Sequence, residues 1–180
     1  MNTRKQIRLP NYDYLDNGAY FITICTKDKK KVLDKVVGDG ILDVPQSNVI
    51  GKENVCVRLL KFGIIVEKAI EFLNEHNENI DVEKYVIMPN HIHLIVMVNV
   101  AQGTSGKPSP TLNNINTRPN EIIPKLVSSL KRYTNKQCGV DIWQRSYIDH
   151  VIRNERDYLE HWQYIDNNPL KWEFDKYFSE

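Results

Sequence analysis

Two histidines stand one residue apart in the stretch PNHIHL, residues 89–94, inside a long apolar run. If this run forms a β-strand, His91 and His93 project from the same face, because side chains two residues apart share a face. Two neutral imidazoles that lie this close can share one metal ion. The alternative is a pair of partly buried, hydrogen-bonded histidines, and the spacing alone does not decide between the two.

A second pair of candidate groups lies in NERDYLEHWQYIDNNP, near the C-terminus. Tyr158, Trp162 and Ile165 have helical spacing and predict an apolar stripe. Tyr164 and Asn168 are four residues apart on the neighbouring stripe. A phenol and an amide oxygen one turn apart could supply a nucleophile and a metal ligand. The alternative is a solvated helix face that ends at an ordinary Asn-Pro stop.

The remaining pattern predicts the elements that would position these groups. Residues 20–26 are predicted as a first strand and LDKVVGDGILDV as a hairpin that turns at residues 38–40. A helix follows in LLKFGIIVEKAIEFLNEH, then two adjacent strands that meet at residues 88–90, then a helix in EIIPKLVSSLKRYTNKQCG. A short strand in DIWQRSYIDHVI precedes the third helix, which begins at Asn154 and ends before Pro169. This order predicts an α+β fold, an antiparallel sheet with helices on one side, ferredoxin-like in outline.

Composition predicts a single domain over residues 1–180. The chain has 180 residues, of which 41% are hydrophobic, and its formal net charge is +1, so a polyanion partner would need a local basic patch. Residues 101–120 are rich in Gly, Pro, Ser, Thr and Asn and are predicted as a flexible loop. No apolar run reaches membrane-spanning length, and the three cysteines lack metal-type spacing, so we expect a cytoplasmic protein without a membrane partner.

Taken together, the two motifs resemble those of a known family. MPNHIHLIVMV is similar to the HUH motif (His, hydrophobic, His) of the single-tyrosine HUH transposases, and YIDNNP resembles their signature Y-I-x-x-N-P. WQRSYIDHVIRNERDYLEHWQYIDNNPLKW and YFITICTKDKKKVL are similar to the REP-associated tyrosine transposase branch. The resemblance covers about residues 6–172, and two motifs in the right order are more specific than either one alone.

The resemblance implies an enzyme that cleaves and rejoins DNA strands through a covalent 5′-phosphotyrosine. By motif match, Tyr164 would be the nucleophile, and His91, His93 and Asn168 would be metal ligands. A divalent metal, Mg²⁺ or Mn²⁺, fits such a site, and no nucleotide cofactor is needed. The implied partner is single-stranded or hairpin DNA. A homodimer is possible, because superfamily members that exchange their tyrosine helices are dimers.

Several residues have weaker predicted roles. Tyr133 lies on the apolar stripe of the second helix and is predicted to be core, whereas His161 could assist Tyr164. Each candidate DNA contact could equally be a plain surface or packing residue; these candidates are Lys131, Arg132, Arg145, His150 and Arg153.

Two other classes of function stay open from the sequence. The first is a nucleic-acid-binding module on the same sheet, without chemistry. The second is a metal-dependent hydrolase, which would normally need further acidic ligands at strand ends, and LIVMVNV after His93 supplies none.

Overall fold

A computed structural model describes residues 18–37, 56–99 and 122–178 of the chain. Most of the predicted elements are present within these ranges, in the predicted order. Their bounds are β1 Gly18–Cys25, β2 Asp34–Val37, β3 Cys56–Leu59, α1 Lys61–Glu75, β4 Ile80–Met88, β5 His91–Val98, α2 Ile122–Cys138, β6 Ile148–Ile152 and α3 Glu155–Asn167.

The main sheet has the strand order β4-β5-β1-β6, and every neighbouring pair is antiparallel. Connected through α1 and α2, these four strands give a ferredoxin-like α+β fold, as the pattern of elements predicted. The register of β1 on β5 places Thr23 opposite His93 and Cys25 opposite His91. The histidine pair therefore lies on β5, an inner strand of the sheet, at the end of the sheet where β1 and β4 finish.

The two faces of the sheet are covered by different helices. Ile22, Ile24 and Leu94 belong to one core cluster, which also contains the buried residues of α1 and α2. Phe21 and Ile95, which alternate with them along β1 and β5, belong to a second cluster with the apolar stripe of α3. The prediction of helices on one side thus holds for α1 and α2. The helix α3 lies on the opposite face, which is also the face of the two histidines.

The short strand β2 pairs with β3 in a separate two-stranded sheet. The sequence pattern predicted that β2 pairs with the second half of the hairpin LDKVVGDGILDV. It did not predict β3, which is the partner in the structure. The predicted turn at residues 38–40 and the predicted flexible loop at residues 101–120 both lie outside the described residues.

The predicted core position of Tyr133 is wrong. Its side chain is 40% exposed, and its ring stacks on Phe72 of α1 with centroids 6.1 Å apart. Phe72 is also exposed, at 48%, so the two rings stack in a contact between α1 and α2 that is open to solvent. The preceding stripe residues Leu126, Val127 and Leu130 are buried, as predicted.

The helix α3 begins as the sequence predicted, with the Asn154 side chain accepting a hydrogen bond from the Asp157 backbone amide at 2.9 Å. Two contacts then attach it to the edge strand β4 of the same chain. Tyr158 donates to Glu83 at 2.7 Å, and Lys84 pairs with Asp166 at 2.6 Å. The apolar stripe of α3 and these two contacts fix the helix against its own sheet. Of the helices that the structure describes, none has the length and apolarity to cross a membrane.

Gly63 lies in the first turn of α1 against the backbone of Leu33. A Cβ at this position would collide with the Leu33 carbonyl oxygen and would approach Leu59 Cδ2 to 3.2 Å. We expect Gly63→Ala to lower the free energy of unfolding by about 2 to 3 kcal/mol, because backbone cannot rotate away as a side chain can. Urea denaturation measures the loss. Gly139→Ala is the control: its φ is +73° with open space around it among the described atoms, so only about 1 kcal/mol should be lost.

Asp34 at the start of β2 is 2% exposed. Burial raises the pKa of its carboxyl group from 3.8 to about 7, and the Lys35 and Arg58 backbone amides only partly offset this. Because the folded pKa is raised, the stability present at acidic pH is lost as the pH rises from about 4 through 7. Between pH 5 and pH 8 the wild type should lose on the order of 2 kcal/mol relative to Asp34→Asn in urea denaturation. Parallel pH profiles for the two proteins would contradict this assignment.

Candidate metal and tyrosine site

His91 and His93 are fully buried, with ring centroids 4.5 Å apart. One nitrogen of each ring is held by a polar neighbour: His91 Nδ1 lies 2.9 Å from Asn90 Oδ1, and His93 Nδ1 lies 2.8 Å from Thr23 Oγ1. The other nitrogen of each ring, Nε2, is buried and has no hydrogen-bond partner among the described residues. The two rings therefore each offer one unused ligand atom.

Asn90 fixes the proton on the His91 ring. Its amide nitrogen donates to the Tyr177 carbonyl oxygen at 2.8 Å, so its Oδ1 is the atom that faces His91 Nδ1. Oδ1 can only accept, so His91 Nδ1 carries the proton and Nε2 keeps its lone pair. Such hydrogen bonds orient metal-binding histidines in known sites. The sequence did not reveal either orienting residue: Thr23 can be assigned only from the strand register, and no pattern marks Asn90, which directly precedes His91.

Asn168 follows the last turn of α3 and is 2% exposed. Its amide nitrogen donates to Asp175 Oδ2 at 2.8 Å, whereas its Oδ1 is buried and unpartnered within the described structure. An unpaired buried polar atom costs about 1 to 3 kcal/mol, so three such atoms on one face of a sheet need an explanation. A divalent cation bound by His91 Nε2, His93 Nε2 and Asn168 Oδ1 fits this donor set and leaves positions for other oxygen ligands.

Asp175 is a further residue of this site, one that sequence analysis did not find. Its Oδ2 accepts from Tyr164 at 2.9 Å as well as from Asn168, and its Oδ1 accepts from the Tyr177 backbone amide at 2.6 Å. One carboxylate oxygen of Asp175, one ring nitrogen of His91 and one ring nitrogen of His93 all lie within 4.8 Å of one another. Asp175 follows a 3-10 turn after α3, where no periodic pattern distinguishes it from a surface residue.

Tyr164 lies at the rim of the site. Its side chain is 36% exposed, and its ring centroid lies 5.2 Å from that of His93 and 5.9 Å from that of Phe21, in edge-on contacts. Burial, the negative charge of Asp175 and the hydrogen bond to it all raise the pKa of the Tyr164 phenol. The phenol is therefore neutral near pH 7 and donates a hydrogen bond to Asp175.

Both imidazoles are neutral as well. Burial is the main cause that lowers the pKa of His91 and of His93 from the ordinary value of 6.5, and the neighbouring ring lowers that of His93 further. Only a neutral imidazole has the lone pair that a cation needs.

The five predicted DNA contacts are dispersed. The ammonium group of Lys131 donates to three carbonyl oxygens, those of residues 144 to 146, at 2.8, 3.3 and 2.9 Å, so it is used in holding that loop. Arg132 is exposed on α2, which covers the opposite face of the sheet from Tyr164. Arg145 and Arg153 are exposed in connecting segments, and His150 is bound to Asp157.

The sequence was compared with known proteins. No protein-family model matches it. A Haemophilus influenzae protein described as uncharacterized is 30% identical over 185 residues, which cover 97% of this chain and 93% of that protein. A putative REP-associated tyrosine transposase of Haemophilus influenzae is 31% identical over 85 residues, 47% of each chain. The Escherichia coli REP-associated tyrosine transposase is 29% identical over 92 residues, 51% of this chain and 45% of that one. The matches to these two named transposases thus span about half of their length.

A solved structure has the same fold. It is that of a REP-associated tyrosine transposase bound to a REP hairpin, with a TM-score of 0.54 and 19% identity over 94% of this chain and 76% of that one. A His-Ile-His strand that faces a tyrosine-bearing helix on a ferredoxin-like sheet is the arrangement that the resemblance to the single-tyrosine HUH transposases predicted. The chain belongs to the family of the Haemophilus influenzae protein that it matches over 93% of that protein's length, and it has REP-associated tyrosine transposases among its relatives.

Proposed function

We propose that this protein cleaves and rejoins single-stranded, hairpin-containing DNA through a 5′-phosphotyrosine on Tyr164. The observation that carries the proposal is that His91 Nε2, His93 Nε2 and Asn168 Oδ1 are buried and unpartnered among the described residues around one carboxylate. That carboxylate, Asp175, has an oxygen within 4.8 Å of a ring nitrogen of each histidine, and it accepts hydrogen bonds from Asn168 and Tyr164. Transposase relatives and a hairpin-bound structural neighbour support the class of substrate.

In the proposed chemical step, Tyr164 is the nucleophile and Asp175 is the base. The Tyr164 oxygen attacks phosphorus, a Tyr164–phosphate bond forms, and the bond from phosphorus to the 3′-oxygen breaks. Asp175 Oδ2, 2.9 Å from the phenol oxygen, is placed to accept the proton that leaves Tyr164. The 3′-oxygen departs and takes a proton from solvent. The ester conserves the energy of the broken bond, so a 3′-hydroxyl can reverse the step without ATP.

A divalent cation held by His91, His93 and Asn168 would polarise the scissile phosphate and favour the phenolate. Burial keeps the two imidazoles neutral, and the hydrogen bonds to Asn90 and Thr23 orient them.

The test is a search for a covalent adduct. The full chain is incubated with hairpin-bearing single-stranded DNA and Mn²⁺ or Mg²⁺, then denatured and resolved by electrophoresis. We expect a DNA adduct that survives denaturation, is absent after chelation by EDTA, and maps to the peptide containing Tyr164.

Two other outcomes identify the competing functions. DNA binding without an adduct in any divalent metal would favour a binding module. Hydrolysis of phosphate esters without a covalent species would favour a metal-dependent hydrolase.

A further inference from the structure

A second group of metal-binding side chains lies between β6 and the first turns of α3. His150 Nε2 is 3.0 Å from each carboxylate oxygen of Asp157, and His161 Nδ1 is 3.1 Å from Asp157 Oδ1. The imidazole rings of His150 and His161 stack with centroids 4.7 Å apart and planes 20° apart. All three ligand atoms lie within 4.8 Å of one another.

We propose that His150, Asp157 and His161 form a second divalent-cation site, separate from His91, His93 and Asn168. Two ring nitrogens and one carboxylate oxygen form a donor set typical of Zn²⁺ and neighbouring transition ions, and they are poorly suited to Mg²⁺. With Zn–N and Zn–O bonds of about 2.1 Å in tetrahedral geometry, neighbouring ligand atoms are about 3.4 Å apart. The observed separations of 3.0 and 3.1 Å between nitrogen and carboxylate oxygen are a few tenths of an ångström shorter, so binding would require only a small outward movement of the side chains.

The fold determines where these ligands lie. Strand register pairs His150 with Phe21, so the His150 side chain projects on the face that α3 covers. Asp157 and His161 are four residues apart on α3 and share one side of it. Asp157 is also oriented from outside the cluster, because its Oδ2 accepts from the Arg153 backbone amide at 3.0 Å. An oriented carboxylate is what a metal ligand of this kind needs.

The cluster is accessible to an ion. The side chain of His150 is 48% exposed, and those of Asp157 and His161 are 20% and 22% exposed. Solvent can therefore complete the coordination of a bound cation. Without a cation the same residues form an ordinary hydrogen-bonded cluster, in which His161 Nδ1 also donates to the Asp157 backbone carbonyl oxygen at 2.8 Å. Binding of a cation would replace that hydrogen bond and release the proton, and the experiment must distinguish the two states.

A cation bound at this second site would influence the tyrosine site only through packing contacts between side chains. The His161 ring lies 4.5 Å from the Phe21 ring, and Phe21 in turn contacts the rings of His93 and Tyr164, at 5.0 and 5.9 Å. Cross-linking β6 to α3 would therefore hold in place the helix that carries Tyr164. His161 is a positioning residue in this arrangement and has no role in the chemical step.

The test is the stoichiometry of Zn²⁺ bound by the full chain, measured by isothermal titration calorimetry and by metal analysis after dialysis in the presence of a non-thiol reductant. We expect His150→Ala and Asp157→Asn each to lose one equivalent relative to the wild type. His76→Ala is the matched control and should lose none, since His76 caps the C-terminal end of α1 and its ring is bound to Phe72, away from both clusters.

The outcomes separate this proposal from the proposed function. His93→Ala should lose a different equivalent, so that His93→Ala combined with His150→Ala loses two. Unchanged Zn²⁺ stoichiometry in both His150→Ala and Asp157→Asn, with far-UV circular dichroism of the wild type, overturns the second site and leaves the tyrosine chemistry untouched. If no DNA adduct forms in the assay of the proposed function while His150→Ala still loses one equivalent of Zn²⁺, the tyrosine chemistry is overturned and the second cation site is supported.

Discussion

Replacement of Tyr164 by Phe is expected to abolish the covalent DNA adduct, with a loss of cleavage of at least about 10³-fold. The substitution removes only the phenol oxygen, which donates to Asp175 at 2.9 Å, and it keeps the ring that packs edge-on against Phe21 and His93. Because the side chain is 36% exposed, the free energy of unfolding should change by no more than about 1 kcal/mol. Adduct yield on a denaturing gel, together with a urea denaturation curve, separates loss of chemistry from loss of fold.

The matched control for this substitution is Tyr133→Phe. Tyr133 is also a helical tyrosine with an exposed side chain, but it lies on α2 against Phe72, on the other side of the sheet. This variant should form adduct at the wild-type rate. If Tyr164→Phe still forms adduct, the nucleophile is another residue.

The second large effect is expected at the metal ligands. His93→Ala or Asn168→Ala removes one of three converging ligand atoms, so each should lower cleavage by about 10²-fold or more. A ligand that binds only the folded state adds about 2.7 kcal/mol of stability at 100 times its dissociation constant. The wild type should therefore gain stability on addition of Mn²⁺, and most of that gain should be absent in both variants.

Thermal unfolding with and without Mn²⁺ measures this gain independently of cleavage. The control is His76→Ala, which removes an exposed histidine at the C-terminal end of α1 and should keep both the Mn²⁺ gain and cleavage. A full Mn²⁺ gain combined with full cleavage in His93→Ala would exclude this histidine as a ligand.

The sequence predicted those features that depend on short-range patterns. Alternation along β5 predicted that His91 and His93 share a face, and helical spacing predicted the apolar stripe of α3, in which Ile165 is buried and Tyr158 and Trp162 are partly buried. The N-cap at Asn154 was also correct, because it depends only on the residues of the first turn. Each of these predictions requires no knowledge of which segments meet in space.

The features that the sequence could not predict depend on tertiary placement. Whether α3 packs above or below the sheet is decided by connections between distant elements, and the pattern of α3 itself fits either face. Thr23 is apparent as an orienting residue only from the register of β1 on β5. Asp175 reaches Tyr164 because the chain turns back after α3, and no local pattern marks that turn.

The attachment of α3 to β4 has a consequence for reaction order. Tyr158 bonded to Glu83 and Lys84 paired with Asp166 hold the helix that carries Tyr164 against the sheet of the same chain. If Tyr164 is the nucleophile, as proposed, we expect that cleavage per chain does not rise with protein concentration. A DNA end attached to Tyr164 would also be tethered beside the strand end just released, which favours resealing of the original junction over exchange with a distant one.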